Sequence, residues 1–529
     1  MKTVKVLDVT LRDGGCVNDF QFGQVYMDKI LYELEKSGVD YIELGYIDEK
    51  NGTESGTTKF CNEQAIFKNF LKSKKPNITY VAMMDYGKFD VDKLMHRTET
   101  GIDGIRLAFH KKDYHAALKL GKKIIEKGYQ LYIQPMVTLR YTDGELLGLI
   151  EAVNDMLSEA SGFYIVDSFG EMRSNDMNRV LNLVDHNLIP TMTLGFHSHN
   201  NLQLSYSNAM TFIDFPTQRQ LIIDSSVMGM GKGAGNLNTE LLLEHLNLYY
   251  SKNYDITPLM VLIDSVISVI HKEFYWGYSA EYYLSSINGC TPSYASFFYG
   301  KHMLPISDVA KLLSMIEDDK KISFDKEYAE SIYLEYNKEK QVDDTEVIEE
   351  LRGKLENKTI LVLAPGKTIL EYESCINEIM SRKDVITIGL NNNKYNNDFI
   401  FITRKERLEW GLGLGIPIIA PSSVVKESKE EVYVVDYNKW IVCEEEAQDA
   451  SGVMVLNILK ALNVRKILLA GFDGFSGDIN GNYYDKNMRI PMSSCEAETR
   501  NAFYFKYISK LKREVQLEFI TPSLYEKQV

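Results

Sequence analysis

V-K-V-L-D-V-T-L-R-D-G-G, residues 4–15, is the stretch on which the fold turns. Its apolar, β-branched start reads as a buried strand. The strand stops on a cation and an anion, Arg12 and Asp13, and two glycines then turn the chain. A strand that ends this way presents both charges at one rim of a sheet. A second stretch, T-L-G-F-H-S-H-N at 193–200, carries His197 and His199 at i and i+2. On a strand these two imidazoles share a face. If the two strand ends meet, one carboxylate and two imidazoles make a mixed N,O donor set for a divalent metal.

The intervening chain supports that meeting. Strands are predicted at 4–10, 41–46, 78–85, 104–109, 130–137, 162–168, 193–199 and 221–227, separated by segments of helical periodicity such as 27–37, 114–127 and 144–159. Alternating β and α segments imply a parallel sheet, and eight repeats at this length predict a (β/α)8 barrel. An open doubly wound sheet is the rival, but no G-x-G-x-x-G follows the first strand. A barrel places its chemistry at the C-terminal ends of its strands. Arg12, Asp13, Asp85, His110, Gln134, Asp167, Ser168, His197 and His199 all fall there, with Glu43 inside the second strand.

After the eighth strand, G-M-G-K-G-A-G-N (229–236) allows close backbone approach to a ligand, with Asn236 as an oxygen donor. It also reads as a tight barrel-closing turn. It is no Walker A loop, since the lysine is not followed by Ser or Thr. Cys16 reads as a thiol for chemistry or as a small apolar filler. His110 reads as a proton shuttle or as a rim hydrogen-bonder. Glu43, Asp85 and Asp167 read as partners that orient the reacting groups.

The totals set the class. The chain has 529 residues, 45% hydrophobic and 25% charged, with a net charge of −15, which disfavours nucleic acid as a partner. Cysteines at 16, 61, 290, 375, 443 and 495 form no C-x-x-C pair. The N-terminal residues are too short and charged a run for a signal peptide, and no apolar run reaches the ~20 residues of a membrane span. A bacterial cytoplasmic enzyme, membrane-free and homo-oligomeric, is expected.

Residues 1–250 are read as the barrel and 251–336 as an aromatic helical extension covering the barrel or a dimer partner. Residues 337–358 read as a charged linker or solvated helix, and 359–529 as a second, Rossmann-like α/β domain. Strands are expected there at 360–363, 385–388, 399–402, 432–435, 467–470 and 517–521. Residues 416–420 make a further strand that Pro417 confines to an edge or a strand start.

L-D-V-T-L-R-D-G-G, V-D-S-F-G-E-M, F-H-S-H-N-N and G-M-G-K-G-A-G-N-L-N-T-E, in this order, resemble the pyruvate-carboxyltransferase-type TIM-barrel metalloenzymes. That group includes hydroxymethylglutaryl-CoA lyase, isopropylmalate synthase and, most similar here, 4-hydroxy-2-oxovalerate aldolase. The resemblance implies a metal held by Asp13, His197, His199 and Asn236, with Mn favoured over Zn, Co or Mg. It also implies Arg12 stabilising a pyruvate enolate, Ser168 at the substrate carboxylate and Tyr294 near the hydroxyl-bearing carbon. The aldolases' histidine after R-D-G-x is Cys16 here, so the proton falls to Cys16, His110, Tyr294 or water. The implied function is a pyruvate aldolase acting on a 4-hydroxy-2-oxo acid, and the fusion to a second domain suggests a sugar- or nucleotide-linked aldehyde partner. A Claisen-type acyl-CoA condensation on the same barrel is the alternative, and a non-catalytic scaffold for surface-polysaccharide assembly is the third reading. L-V-L-A-P-G-K-T (361–368) and the helix–strand stretch 451–475 resemble sialyltransferase-like and pterin-pyrophosphokinase-like nucleotide-binding domains.

Overall fold

The computed structural model describes residues 3–50, 55–301, 304, 306–338, 341–425, 431–441, 450–478, 480–488, 492 and 494–526. Strand β1 (Val4–Asp8) sets the pattern of the first sheet. Val4 and Val6 pack outward into the layer between strands and helices, and Leu7 points into the barrel. The period of two along a strand buried on both faces accounts for this division. The same alternation runs through β4 (Thr79–Asp85), β5 (Gly104–Phe109), β6 (Gln130–Pro135), β7 (Gly162–Asp167), β8 (Thr193–Ser198) and β9 (Leu221–Ser225), and through the first half of β2 (Tyr41–Ile47); β3 is the short strand Lys59–Phe60.

The sheet runs β1-β9-β8-β7-β6-β5-β4-β2, and a parallel β1–β2 pairing closes it into an eight-stranded barrel. β3 is an addition outside that ring, paired with β2. Two residues are too few to leave a periodic signal, so it is invisible to pattern reading. The interior is filled by Leu7, Val9, Tyr41, Val81, Tyr132, Tyr164, Val166 and Ile222. Helices wrap the outside. Helix Gln24–Ser37 stops at Gly38, whose φ of +78° closes it in the left-handed conformation. Helix Asp143–Met156 opens on a reciprocal Thr142–Glu145 cap.

A second, all-parallel sheet contains β10 (Thr359–Leu363), β11 (Val385–Leu390), β12 (Phe399–Phe401), β13 (Ile418–Pro421), β14 (Val432–Val435), β15 (Lys466–Ala470) and β16 (Leu517–Phe519). Its order is β14-β13-β12-β11-β10-β15-β16, so the chain reverses direction across the sheet beside β10. Ile360 and Val362 pack on one face and Leu361 and Leu363 on the other. β13 lies between β12 and β14, away from the edges. Pro417 precedes it and uses only its carbonyl, which accepts from Ile400 N at 3.0 Å, so its missing N–H disturbs nothing.

The chain forms two compact units, Met1–Ser296 with Glu317–Phe324, and Phe297–Ile316 with Asp325–Val529. The helical segment expected at 251–336 is therefore divided between them. Within the charged stretch 337–358, helix Thr345–Leu355 buries Ile348, Leu351 and Leu355 in the core of the second unit. Residues 339 and 340 of that stretch, and Cys443, lie outside the described residues. The five described cysteines are all free. Among the described residues no helix is long and apolar enough to cross a membrane.

Candidate active site

The turn after β1 and the end of β8 converge. Asp13, His197 and His199 are buried, and one donor atom from each lies within 4.8 Å of the others. His199 Nε2 stands 3.9 Å from Asp13 Oδ2. The two rings meet edge to face, with centroids 5.3 Å apart. Leu194 and Phe196 pack outward, so the odd-numbered positions of β8 face the interior.

Each imidazole is oriented from behind. His197 Nδ1 donates to Asp224 Oδ2 at 2.9 Å, and His199 Nδ1 donates to the Lys232 carbonyl at 3.2 Å. Both Nε2 lone pairs are thereby left for a cation, the arrangement typical of metal-binding histidines. Burial lowers the His199 imidazole to about 4, so it is neutral at pH 7. Burial is the largest influence on Asp13 and works against its ionisation, but the charge of Arg12 together with His199, His197 and Asn236 outweighs it and holds the carboxyl well below the ordinary range.

Two buried atoms at this point lack hydrogen-bond partners, Asp13 Oδ2 and Asn236 Oδ1. Asn236 is 1% exposed and bridges to His199, and its Nδ2 donates to the Met230 carbonyl at 3.1 Å. A buried oxygen left unsatisfied is costly, and a divalent cation would satisfy both. The donor set therefore fits a metal ion with two nitrogen and up to two oxygen ligands from the protein.

The loop 229–235 shapes this cradle. A Cβ on Gly231 would stand 2.3 Å from Asn236 Nδ2 and 2.9 Å from Asp13 Oδ2. Trp276 clamps the loop from outside, its Nε1 donating to the Met228 carbonyl at 3.0 Å. Gly231→Ala is expected to weaken divalent-cation binding by about 10–100-fold. Titration calorimetry checks this, and unchanged affinity would show that the loop does not shape the cradle.

A chain of buried charges runs through the barrel behind the site. Arg12 Nη1 donates to Asp13 Oδ1 and Arg12 Nε to Glu43 Oε2, each at 2.7 Å. Arg106 Nη1 donates to Glu43 Oε2 at 2.8 Å, and Arg106 Nη2 to Asp224 Oδ2. Arg106 is fully buried, its guanidinium 4.7 Å from the Tyr164 ring centroid. The chain holds two guanidiniums and three carboxylates, a net negative charge that favours a cation at its end.

Arg106 and Asp224 were not singled out from the sequence. Their signal was a lone charge inside an otherwise apolar strand, G-I-R-L-A-F and L-I-I-D-S.

Arg12 Nη2 is buried and has no hydrogen-bond partner. Ser168 Oγ accepts from Val137 N at 3.0 Å, and Asp167 accepts from the Glu171 and Met172 amides at 3.0 and 3.1 Å. Burial pushes Asp167 up to about 7. Cys16 is reached by solvent but walled by protein, and desolvation, aided by the Asp13 charge, pushes its thiol up to about 12. His110 follows β5, half-buried, its imidazole lowered by burial. Tyr294 is fully buried in helix Pro292–Tyr299, and its hydroxyl lies 3.2 Å from the Lys320 and Ser323 carbonyls. The structure thus joins Arg12, Asp13, His197, His199 and Asn236, and engages the Tyr294 hydroxyl with backbone.

The profile of the family described as HMGL-like matches residues 3–266. A 4-hydroxy-2-oxovalerate aldolase of Bacillus thuringiensis (strain Al Hakam) is 25% identical over 270 residues, 50% of this chain and 76% of the relative. A 4-hydroxy-2-oxovalerate aldolase 2 of Comamonas testosteroni is 28% identical over 252 residues, 46% of this chain and 68% of the relative. Among solved structures, the N-terminal domain of a candidate aldolase from Bacteroides vulgatus aligns at 27% identity and a TM-score of 0.49, covering 56% of this chain and 96% of that one. Through its barrel, the chain belongs to the HMGL-like (pyruvate carboxyltransferase) family of aldolases and lyases.

Proposed function

We propose that the barrel is a divalent-metal-dependent aldolase that cleaves or forms a 4-hydroxy-2-oxo acid, with pyruvate as the enolate half. The observation that carries this reading is the unpaired, buried Arg12 Nη2 beside an unsatisfied Asp13 and two back-oriented imidazoles. Asp13, His197 and His199 would hold the metal, with Asn236 Oδ1 as a further donor. Mn suits the set best; Zn, Co and Mg are the alternatives. When bound, such a cation supplies Lewis acidity, polarising the 2-oxo group and lowering the barrier to charge on its oxygen.

Arg12 does the rest of the charge stabilisation. Glu43 and Asp13 fix the guanidinium through Nε and Nη1, so Nη2 can donate to the substrate oxygen without reorganising. Ser168 can turn its hydroxyl proton toward the substrate carboxylate while Oγ accepts from Val137 N. Cys16, held as a neutral thiol, borders the substrate without moving its proton. The aldehyde half is a small molecule, for which we propose a sugar- or nucleotide-linked compound. The working enzyme would be a cytoplasmic homo-oligomer.

Metal-dependent exchange of the pyruvate methyl protons with D2O, followed by NMR, tests this reading without an aldehyde. Arg12→Lys keeps the charge but loses the fork. It should retain the metal and slow exchange by about 10²–10³-fold. Exchange at the wild-type rate would remove Arg12 from the chemistry, and no exchange in the wild type would sink the aldolase.

A further inference from the structure

With Cys16 where the aldolases resembled here carry a histidine, the proton needs another carrier, and β2 and β4 supply one. Along β2, Tyr41 and Glu43 face the interior, so strict alternation would turn Tyr46 outward. The register between β2 and β4 shifts between Glu43 and Tyr46, however. Gly45 sits in that irregularity at φ +148°, where a Cβ would lie 2.1 Å from the Thr58 carbonyl oxygen. Irregularities of this kind re-aim a side chain beside an active site.

Tyr46 is accordingly turned toward the mouth. The Arg12 guanidinium carbon is 6.0 Å from its ring centroid, and Phe20 packs edge-on against it at 5.7 Å. Its hydroxyl donates to Asp85 Oδ1 at 3.3 Å. Asp85 ends β4 on the interior side, opposite the outward-packed Tyr80, Ala82 and Met84.

The geometry points to Tyr46 and Asp85 as the proton relay of this site, Tyr46 meeting the substrate and Asp85 acting through it. The inference rests on the aldolase reading above. In cleavage, the substrate hydroxyl proton passes to Tyr46 Oη as the tyrosine's own proton passes to Asp85 Oδ1. The C–O becomes the aldehyde carbonyl, the C3–C4 bond breaks, and its electron pair is taken up by C3 and the C2 oxygen. The proton held on Asp85 then returns through Tyr46 to C3 and completes the pyruvate methyl. Atoms and electrons balance without a co-reactant.

The groups facing Asp85 suit the task. Burial raises its carboxyl to about 6, with Arg12, Tyr46 and Lys88 working against that rise and Asp48 adding to it. A base poised near neutrality both takes and returns a proton readily. Burial raises the Tyr46 phenol well above its ordinary value, so it passes protons without standing as a phenolate.

Exchange at the pyruvate methyl is the C3 step run alone, and it provides the test on the metal-loaded full chain. In the wild type the rate should fall as pH drops through about 6, where Asp85 becomes protonated. Tyr46→Phe and Asp85→Asn should slow exchange by about 10²–10³-fold, keep the wild-type metal content, and in Asp85→Asn lose the acid limb. Asp85→Glu should restore part of the rate and the limb. Wild-type rates and an intact acid limb in both variants would overturn the relay alone. No exchange in the wild type would remove the aldolase reading and the relay with it.

Discussion

His197→Ala and Asp13→Asn are expected to emerge from metal loading without a bound cation and to lose pyruvate methyl exchange by on the order of 10³-fold or more. A bound cation contributes several kcal/mol of charge stabilisation, and each ~1.4 kcal/mol is a factor of ten. Asp13→Asn is the sharper variant. It keeps the side-chain shape and an oxygen for the Arg12 Nη1 contact and removes only the charge. In His197→Ala, Asp224 retains its Arg106 partner, so the barrel should stay folded. Metal analysis beside circular dichroism separates the outcomes. A folded variant with a full complement of metal would show that these side chains are not its ligands.

The second large effect concerns stability. Arg106→Met is expected to destabilise the barrel by ~3–5 kcal/mol, because it leaves the buried Asp224 carboxylate without its counter-charge. Asp224 would keep only the His197 Nδ1 contact, whereas Glu43 would still be paired with Arg12. For a unit of this size that is a fall in melting temperature of the order of 10 °C. The double variant Arg106→Met, Asp224→Asn should recover part of the loss, since the orphaned charge is then gone. Calorimetry of both variants decides it. A single variant as stable as the wild type would mean that Arg106 contributes nothing to holding the carboxylates.

What could be read from the sequence, and what could not, follows from the range of each signal. The barrel strands are runs of apolar residues buried on both faces, and that burial writes itself into consecutive positions. β1 and β8 were therefore legible, and with them the strand ends that carry Asp13, His197 and His199. β3, only two residues long, had no room for a pattern.

Arg106 and Asp224 are harder because their partners are remote. Arg106 meets Asp224 across 118 positions of chain and Glu43 across 63, and no local spacing encodes either pairing. Tyr46 is hidden by the reverse effect: alternation predicts the wrong face, and only the break at Gly45 turns it inward. For Tyr294 the family resemblance suggested chemistry, while the direction of its hydroxyl, toward the carbonyls of Lys320 and Ser323, is set by tertiary packing that sequence spacing does not express.

In the proposed centre, one carboxylate and two imidazoles, nearly two hundred residues apart, share a cation at the barrel mouth. Pulsed electron paramagnetic resonance of the Mn(II)-loaded protein tests this directly. Nitrogen couplings from two histidines are expected, reduced to one in any Mn(II) that His199→Ala retains. A Mn(II) spectrum with no directly bound nitrogen would contradict it.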